Sequence, residues 1–304
     1  MFALFPLLVA ALPLRPWAGC PFLESLGPRS LGHRELLTAQ VIGSGENPSS
    51  FAPLCRKTNG ADAAPTAESV CSAYSSVSSA FLASIPPTRR GAASLFGKAA
   101  RLPFHDAGEF DRNANDALGP DGCLSFSPAN AGLIEADSIV STVFEPMWQN
   151  VCDKISRADF WAMLGKIVFE YSQYADQFGF ETVETPFSFG RKDSKECGAG
   201  KGRLPSAQGA DLEIIRVFVS QMGLNYSDAV TLIGAHTLGH VYQSNSGYGL
   251  SPDPTLNFTS NAFDLTPDVF DNSYYQTLIG VVATQITSIK HGCKSLLREE
   301  IIIS

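Results

Sequence analysis

The sequence predicts an all-α protein. Three observations carry that reading. Apolar residues recur at three- and four-residue steps in five segments, capping residues stand at the starts of several of them, and strand-like alternation is scarce. The first segment opens at Thr66, where Val70, Tyr74, Val77 and Phe81 share one helical face, and Pro86-Pro87 stops it. A second helix is expected from near Arg90 through Leu95, Ala99 and Leu102 toward His105. Pro103 removes one backbone donor and is expected to bend this helix or end it. Ser156 to Asp159 resembles a capping box ahead of Phe160, Leu164, Ile167 and Tyr171. Leu212, Ile215, Val219 and Met222 fall on one face of a fourth helix. Ser227 is placed to cap a fifth that runs through Val230, Ile233 and His236.

Composition bounds the class. Of 304 residues, 44% are hydrophobic and only 17% charged, enough to bury a sizeable core, so a disordered chain is a poor reading. The net charge of -8, with no basic run longer than Arg89-Arg90, argues against nucleic acid, which needs a concentrated basic face. The chain opens on an apolar run of about thirteen residues followed by Ala18 and Gly19, which resembles a signal peptide over 1–19 and implies secretion. That run is too short to span a bilayer, and no membrane partner is expected. Residues 20–65, rich in Gly, Pro, Ser and Asn, read as an irregular segment. The polar, glycine-rich stretch 185–209 is expected to divide two lobes, 66–185 and 186–304. With Cys20 set aside, Cys55, Cys71, Cys123, Cys152, Cys197 and Cys293 are enough for three disulfides of open connectivity. The sequons at Asn225 and Asn257 agree with secretion.

Two histidines sit in distinctive settings: Arg101-Leu-Pro-Phe-His105-Asp106 and Gly234-Ala-His236-Thr-Leu-Gly239. On a helix, Arg101 and His105 share a face, which sets a fixed cation one turn from an imidazole able to accept and return a proton. A surface pair would show the same spacing. His236 and His240 have the spacing of helical zinc ligands, but Thr237 stands where a metalloprotease needs a Glu base, so that reading is weak.

RLPFHDAGEF, then GPDGCLSF and NAGL, resembles the distal haem site of the plant, fungal and bacterial peroxidase superfamily, and TLIGAHTLGH resembles its proximal site. FDLTPDVFD over 263–271 is similar to the proximal calcium loop of the secreted members. The three segments, in the family's order, cover roughly residues 66–278. The resemblance implies a two-lobed, all-α fold with haem b between a distal and a proximal lobe. His236 is then the iron ligand, and His105 moves the proton of hydrogen peroxide to the departing oxygen. Arg101 stabilises the developing charge, Asn130 fixes the His105 tautomer, and Phe104 lines the haem edge.

The resemblance also implies calcium. Thr237, Asp264, Thr266, the Val269 carbonyl and Asp271 match a proximal site of hard oxygen ligands. Asp106, Gly119 and Asp121 match a distal site, but Cys123 stands in place of a serine hydroxyl, and a thiol suits a hard cation poorly. The positions that hold carboxylates in manganese-oxidising members read as Ala93, Gly97 and Tyr242. Small phenolic or aromatic electron donors at the haem edge are therefore expected.

The pattern departs from the family after Leu278. No Asp follows Asp271 to accept the second N–H of His236, and Glu299 and Glu300 read as solvated. The proximal lobe is expected to be incomplete and the chain truncated, with weak haem binding and slow turnover. The alternative is a non-catalytic homologue that binds haem or calcium, or serves in the extracellular matrix. A third reading, a peroxidase of the ascorbate or cytochrome c type, is suggested by Asn245-Ser-Gly-Tyr248; the leader, the calcium loop and Phe104, where those enzymes carry Trp, speak against it.

Overall fold

The computed structural model describes residues 23–25, 55, 57, 65–116, 118–173, 185–194, 197, 202–206, 209, 211–246 and 260–280. The expected leader, the sequon at Asn257, Gly247-Tyr248, Cys20, Cys293 and the tail with Glu299 and Glu300 lie outside them.

Helices dominate what is described. Helix α1, Ala67–Ser84, starts where Thr66 caps the Ser69 amide and Ser69 returns the bond to the Thr66 amide. It buries Val70, Val77 and Phe81, the stripe read from the sequence, and half-buries Tyr74. Helix α2, Arg89–Ala107, runs unbroken through Pro103, against the expected bend or stop. Its proline ring packs against Gly165 of helix α4, Arg157–Tyr171, where even a Cβ on the glycine would lie 2.9 Å from Pro103 Cγ. Close helix packing offsets the missing hydrogen bond and carries the helix on to His105. A π-turn over Val140–Phe144 leads into α3, Glu145–Gln149, and Ser156 caps α4 through the Asp159 amide.

Two later expectations are corrected. Helix α5, Asp211–Ile214, widens into a π-helix over Ile215–Gln221, and the buried side chains are Val217, Phe218 and Gln221. Leu212, read as part of the core face, is 72% exposed. A wider turn rotates successive side chains away from the 3.6-residue stripe that the periodicity assumed. Gln221 then donates from one buried amide to the carbonyls of Gly108, Phe110 and Arg203 and ties the end of α2 to this segment. Helix α6, Tyr226–Ile233, is capped by Asn225 and not by Ser227: Asn225 Oδ1 accepts from the Asp228 amide at 2.9 Å. The chain tightens into a 3-10 turn over Gly234–Thr237 and leaves as strand β3, His240–Tyr242.

Four three-residue strands complete the described structure. β1, Leu23–Ser25, pairs in parallel with β2, Phe187–Phe189, and β3 pairs antiparallel with β4, Ser260–Ala262. A last helical stretch covers 273–280. The larger apolar core joins α1 to α4 and β2 around Phe81, Phe144, Phe160 and Trp161. A smaller one gathers Val217, Phe218, Ala229, Ile233 and Tyr274. Burying each such side chain contributes about 1.5–3 kcal/mol. Disulfides join Cys55 to Cys152 and Cys123 to Cys197, and Cys71 is also disulfide-bonded. Among the described residues no helix is long and apolar enough to cross a membrane.

Candidate functional site

A cavity of about 500 Å³ opens between the two cores, within the range of cofactor sites. Helix α2 presents Lys98, Arg101, Phe104 and His105 to one side of it, and the turn after α6 presents His236. Two glycines set the approach of these elements. A Cβ on Gly97 of α2 would lie 2.7 Å from the Gly239 Cα, and Gly239 itself has φ +98°, so backbone meets backbone where no side chain fits.

The α2 side is a hydrogen-bonded chain. Arg101 Nε donates to His105 Nε2 at 2.9 Å, and its other nitrogens donate to the carbonyls of Ala131 (2.8 Å) and Ala129 (2.7 Å). A guanidinium only donates, so His105 Nε2 holds a lone pair and Nδ1 carries the proton, given to Asn130 Oδ1 at 2.8 Å. Asn130 is oriented in turn by donating to the Ser125 carbonyl at 2.9 Å, and Ser125 Oγ donates to Glu109 at 2.7 Å. Burial, with Arg101 next, holds the His105 pKa well below its ordinary value, so the ring is neutral at neutral pH. Phe104 stacks on Phe218 with ring centres 5.6 Å apart.

His236 faces the cavity from the other side. Its Nδ1 lies 2.9 Å from the Ile233 carbonyl, an acceptor only, which places the proton on Nδ1 and a lone pair on Nε2. Tyr274 stacks on the ring at 5.6 Å and Phe263 meets it edge-on at 4.9 Å. His240 does not share a helical face with His236, because the helix ends at Thr237 and His240 lies in β3; the zinc spacing is not realised.

Directly after His236, the five residues expected at a cation site converge. Thr237 Oγ1 lies 2.6 Å from Asp264 Oδ2, 3.1 Å from Asp271 Oδ1 and 3.4 Å from the Val269 carbonyl. Thr266 Oγ1 donates to Asp271 Oδ2 at 2.9 Å, and the Thr266 amide to Asp264 Oδ1 at 2.9 Å. Among the described residues no group of three His, Cys, Asp or Glu side chains forms; this set has two carboxylates and draws its other oxygens from hydroxyls and a carbonyl. Burial first, and Asp271 among the lesser causes, push the Asp264 pKa up. One buried and one half-buried carboxylate beside hydroxyl and carbonyl oxygens suit Ca²⁺.

The second set fits an ion less well. Asp106 accepts the amides of Gly122 (3.1 Å) and Cys123 (3.2 Å), and Asp121 accepts the Cys123 amide at 3.1 Å, with Gly119 beside them in the same loop. Cys123, one of the six cysteines expected to pair, is bonded to Cys197, so this position offers a cation neither a hydroxyl nor a thiolate. A further correction concerns Ala93, which is fully buried away from the cavity; Ser94, Lys98 and Tyr242 line it instead, again without a carboxylate.

Ser125, Glu109, Lys98, Asn245 and Phe218 went unassigned in the sequence. Lys98, three residues before Arg101, and Glu109, four after His105, had a local signal in that spacing. Ser125, Phe218 and Asn245 reach the site from other segments.

Comparison with known proteins identifies the family. The profile of the Peroxidase family matches residues 74–296. A mitochondrial cytochrome c peroxidase of Candida albicans is 29% identical over 62% of this chain and 46% of its own length. One from Aspergillus fumigatus is 29% identical over 59% and 44%, and cytosolic L-ascorbate peroxidase 2 of Arabidopsis thaliana 30% over 59% and 62%. The chain thus spans about half the length of the curated relatives it matches. With the profile covering most of the chain, it belongs to the peroxidase family, the haem peroxidase superfamily of plants, fungi and bacteria.

Proposed function

We propose that this chain reduces hydrogen peroxide at a bound haem b and draws the electrons, one at a time, from small phenolic or aromatic donors. The observation that carries the proposal is the Arg101–His105–Asn130 chain lining the same cavity as His236. The residues fit the group: a largely apolar chamber, an imidazole lone pair on one side, and an acid–base pair on the other. When bound, the haem supplies the iron that takes peroxide and the oxidising equivalents passed to the donor. With the Arg101 Nε bond to it released, His105 Nε2 would accept the proton of the incoming peroxide oxygen and return it to the departing one, which leaves as water. Asn130 keeps that nitrogen unprotonated by holding the proton on Nδ1. Arg101, fixed to two carbonyls, offers its positive charge where the O–O bond separates charge. Overall, one peroxide, two protons and two donor electrons become two waters.

One calcium ion, held by Thr237, Asp264, Thr266, the Val269 carbonyl and Asp271, would brace the segment that carries His236; the set around Asp106, Gly119 and Asp121 is not proposed to bind one. Disulfides between segments 97 and 74 residues apart support secretion into an oxidising compartment. The relatives' names point to cytochrome c and ascorbate as other donors, and Phe104 and the calcium loop weigh against them.

The test is an absorption titration of haem-reconstituted protein with one equivalent of peroxide, followed by guaiacol, ascorbate or reduced cytochrome c. A Soret band that shifts with peroxide and returns with guaiacol supports the proposal. His105→Ala should slow the shift by about 10²–10⁴-fold with haem still bound. A bound haem that does not respond to peroxide would leave the non-catalytic haem- or calcium-binding reading in its place.

A further inference from the structure

Along the cavity wall two donors converge, and among the described residues neither is hydrogen-bonded to an acceptor at that spot. Lys98 sits one helical turn before Arg101 on α2, and its ammonium lies 5.3 Å from the centre of the Tyr242 ring. From the opposite side comes Asn245. A Cβ on Gly132 would stand 2.5 Å from Lys98 Nζ and 2.4 Å from Asn245 Nδ2, so ammonium and amide meet at one spot, kept open by the absent side chain. Asn245 turns its NH₂ toward that spot because its Oδ1 accepts from Ser244 Oγ at 3.1 Å.

Neighbouring charges are already engaged. The three side-chain nitrogens of Arg101 donate to His105, Ala129 and Ala131, and Glu135 accepts the Gly132 amide at 2.8 Å. Tyr242 donates its hydroxyl to Ser94 Oγ at 2.9 Å. Among the described residues no ion pair involves Lys98. Burial, and then Arg101, lower the Lys98 pKa to about 8, and the opposing pull of Glu135, the lesser cause, does not make up the difference. Beside the spot, Pro128 and Ala129 give the cavity an apolar wall.

We infer that Lys98 and Asn245 form a carboxylate clamp, and that the preferred electron donor is a small aromatic acid whose carboxylate is held there while its ring lies against Pro128 and Ala129. The inference rests on the peroxidase reading of the cavity. A carboxylate has the acceptor lone pairs and the charge that these two donors lack, whereas a metal cation is repelled and a neutral phenol offers no charge. A carboxylate of the haem itself has the same chemistry and is the other possible guest.

The test compares ferulate with its methyl ester, which share a ring and differ in the charge of the acid group. In haem-reconstituted protein, the ratio of kcat/KM for ferulate to that for the ester should fall about 10-fold in Lys98→Met, the size expected for one charge-assisted hydrogen bond, and recover in Lys98→Arg. Haem affinity, from Soret titration of the haem-free protein, identifies the guest. An unchanged affinity with a lowered ratio assigns the clamp to the donor. An affinity lowered about 10-fold with an unchanged ratio assigns it to the haem carboxylate and overturns the donor preference. If the protein does not turn over at all, the peroxidase reading fails, and calorimetry on the haem-free protein judges the clamp separately: tighter binding of ferulate than of the ester, lost in Lys98→Met, supports it. Equal binding of the two overturns it.

Discussion

Replacing Asn130 with alanine isolates the residue that sets the protonation of His105. Asn130 is fully buried and makes two bonds that alanine cannot: its Oδ1 accepts the His105 Nδ1 proton at 2.8 Å, and its Nδ2 donates to the Ser125 carbonyl at 2.9 Å. Removing it strands the buried His105 N–H, a cost of about 1–3 kcal/mol, whereas the Ser125 carbonyl keeps the Ser127 amide as a donor at 2.9 Å. Losing the bond that favours the Nδ1 tautomer raises the barrier to proton transfer at Nε2 by a similar amount for that one group, or about 5- to 150-fold in rate. The assay is stopped-flow reaction of the haem-reconstituted protein with peroxide, paired with urea unfolding to confirm that the variant is folded. Asn130→Asp is the informative partner: the acceptor remains, but its charge favours the protonated ring and moves loss of the base to higher pH. A folded Asn130→Ala protein that reacts with peroxide at the wild-type rate would refute the role of Asn130 and the tautomer assignment with it.

Three other outcomes are expected. Because burial holds the His105 pKa well below the ordinary imidazole value of about 6.5, the unfolded chain binds more protons at this ring than the folded one as pH drops through about 6.5. His105 by itself therefore favours unfolding as pH drops below that value, opposite in sign to Asp121 and Glu145, whose carboxyls burial pushes up to about 7, so wild type should lose stability relative to His105→Ala. The peroxide reaction should keep its rate through about 6.5 and slow only at lower pH; a rate that halves near that value would contradict the buried, neutral ring. Gly239→Ala, at φ +98° and with its Cβ 2.8 Å from Gly97 Cα, should destabilise the protein by about 1–3 kcal/mol in a denaturant titration, and no change in midpoint would mean that the close approach is dispensable. Chelation with EGTA should lower the melting temperature and release one calcium per chain, measurable by atomic absorption; two ions, or none, would contradict the assignment of a single site around Asp264 and Asp271.

The helices on the α1, α2 and α4 segments were legible because each buries a stripe that local periodicity reports, and because Thr66 and Ser156 announce their starts. Pro103 and the α5 segment misled for the same physical reason. A proline defect can be offset by a neighbouring helix, here through Gly165, and a helix can widen its turn to bury Phe218 and Gln221 at Leu212's expense. Neither fact resides in the residues that form the element.

Of the site, the motif residues Arg101, Phe104, His105, Asn130 and His236 could be named from sequence because the short strings around them resemble those of a known family; the spacing of Arg101 and His105 alone fits a surface pair as well. Periodicity and that resemblance thereby determined a helical haem peroxidase scaffold and pointed to Arg101 and His105 and to the oxygen-rich loop after the second histidine. Tertiary structure decided the rest. It set the His105 proton on Nδ1, which needs a guanidinium on one side of the ring and an amide on the other. It took Cys123 out of cation chemistry by bonding it to Cys197, and it brought Lys98, Gly132 and Asn245 to one spot. Burial and the meeting of side chains from distant segments are properties of the packed chain, so protonation, ligand sets and clamps appear only once the backbone has brought those segments together.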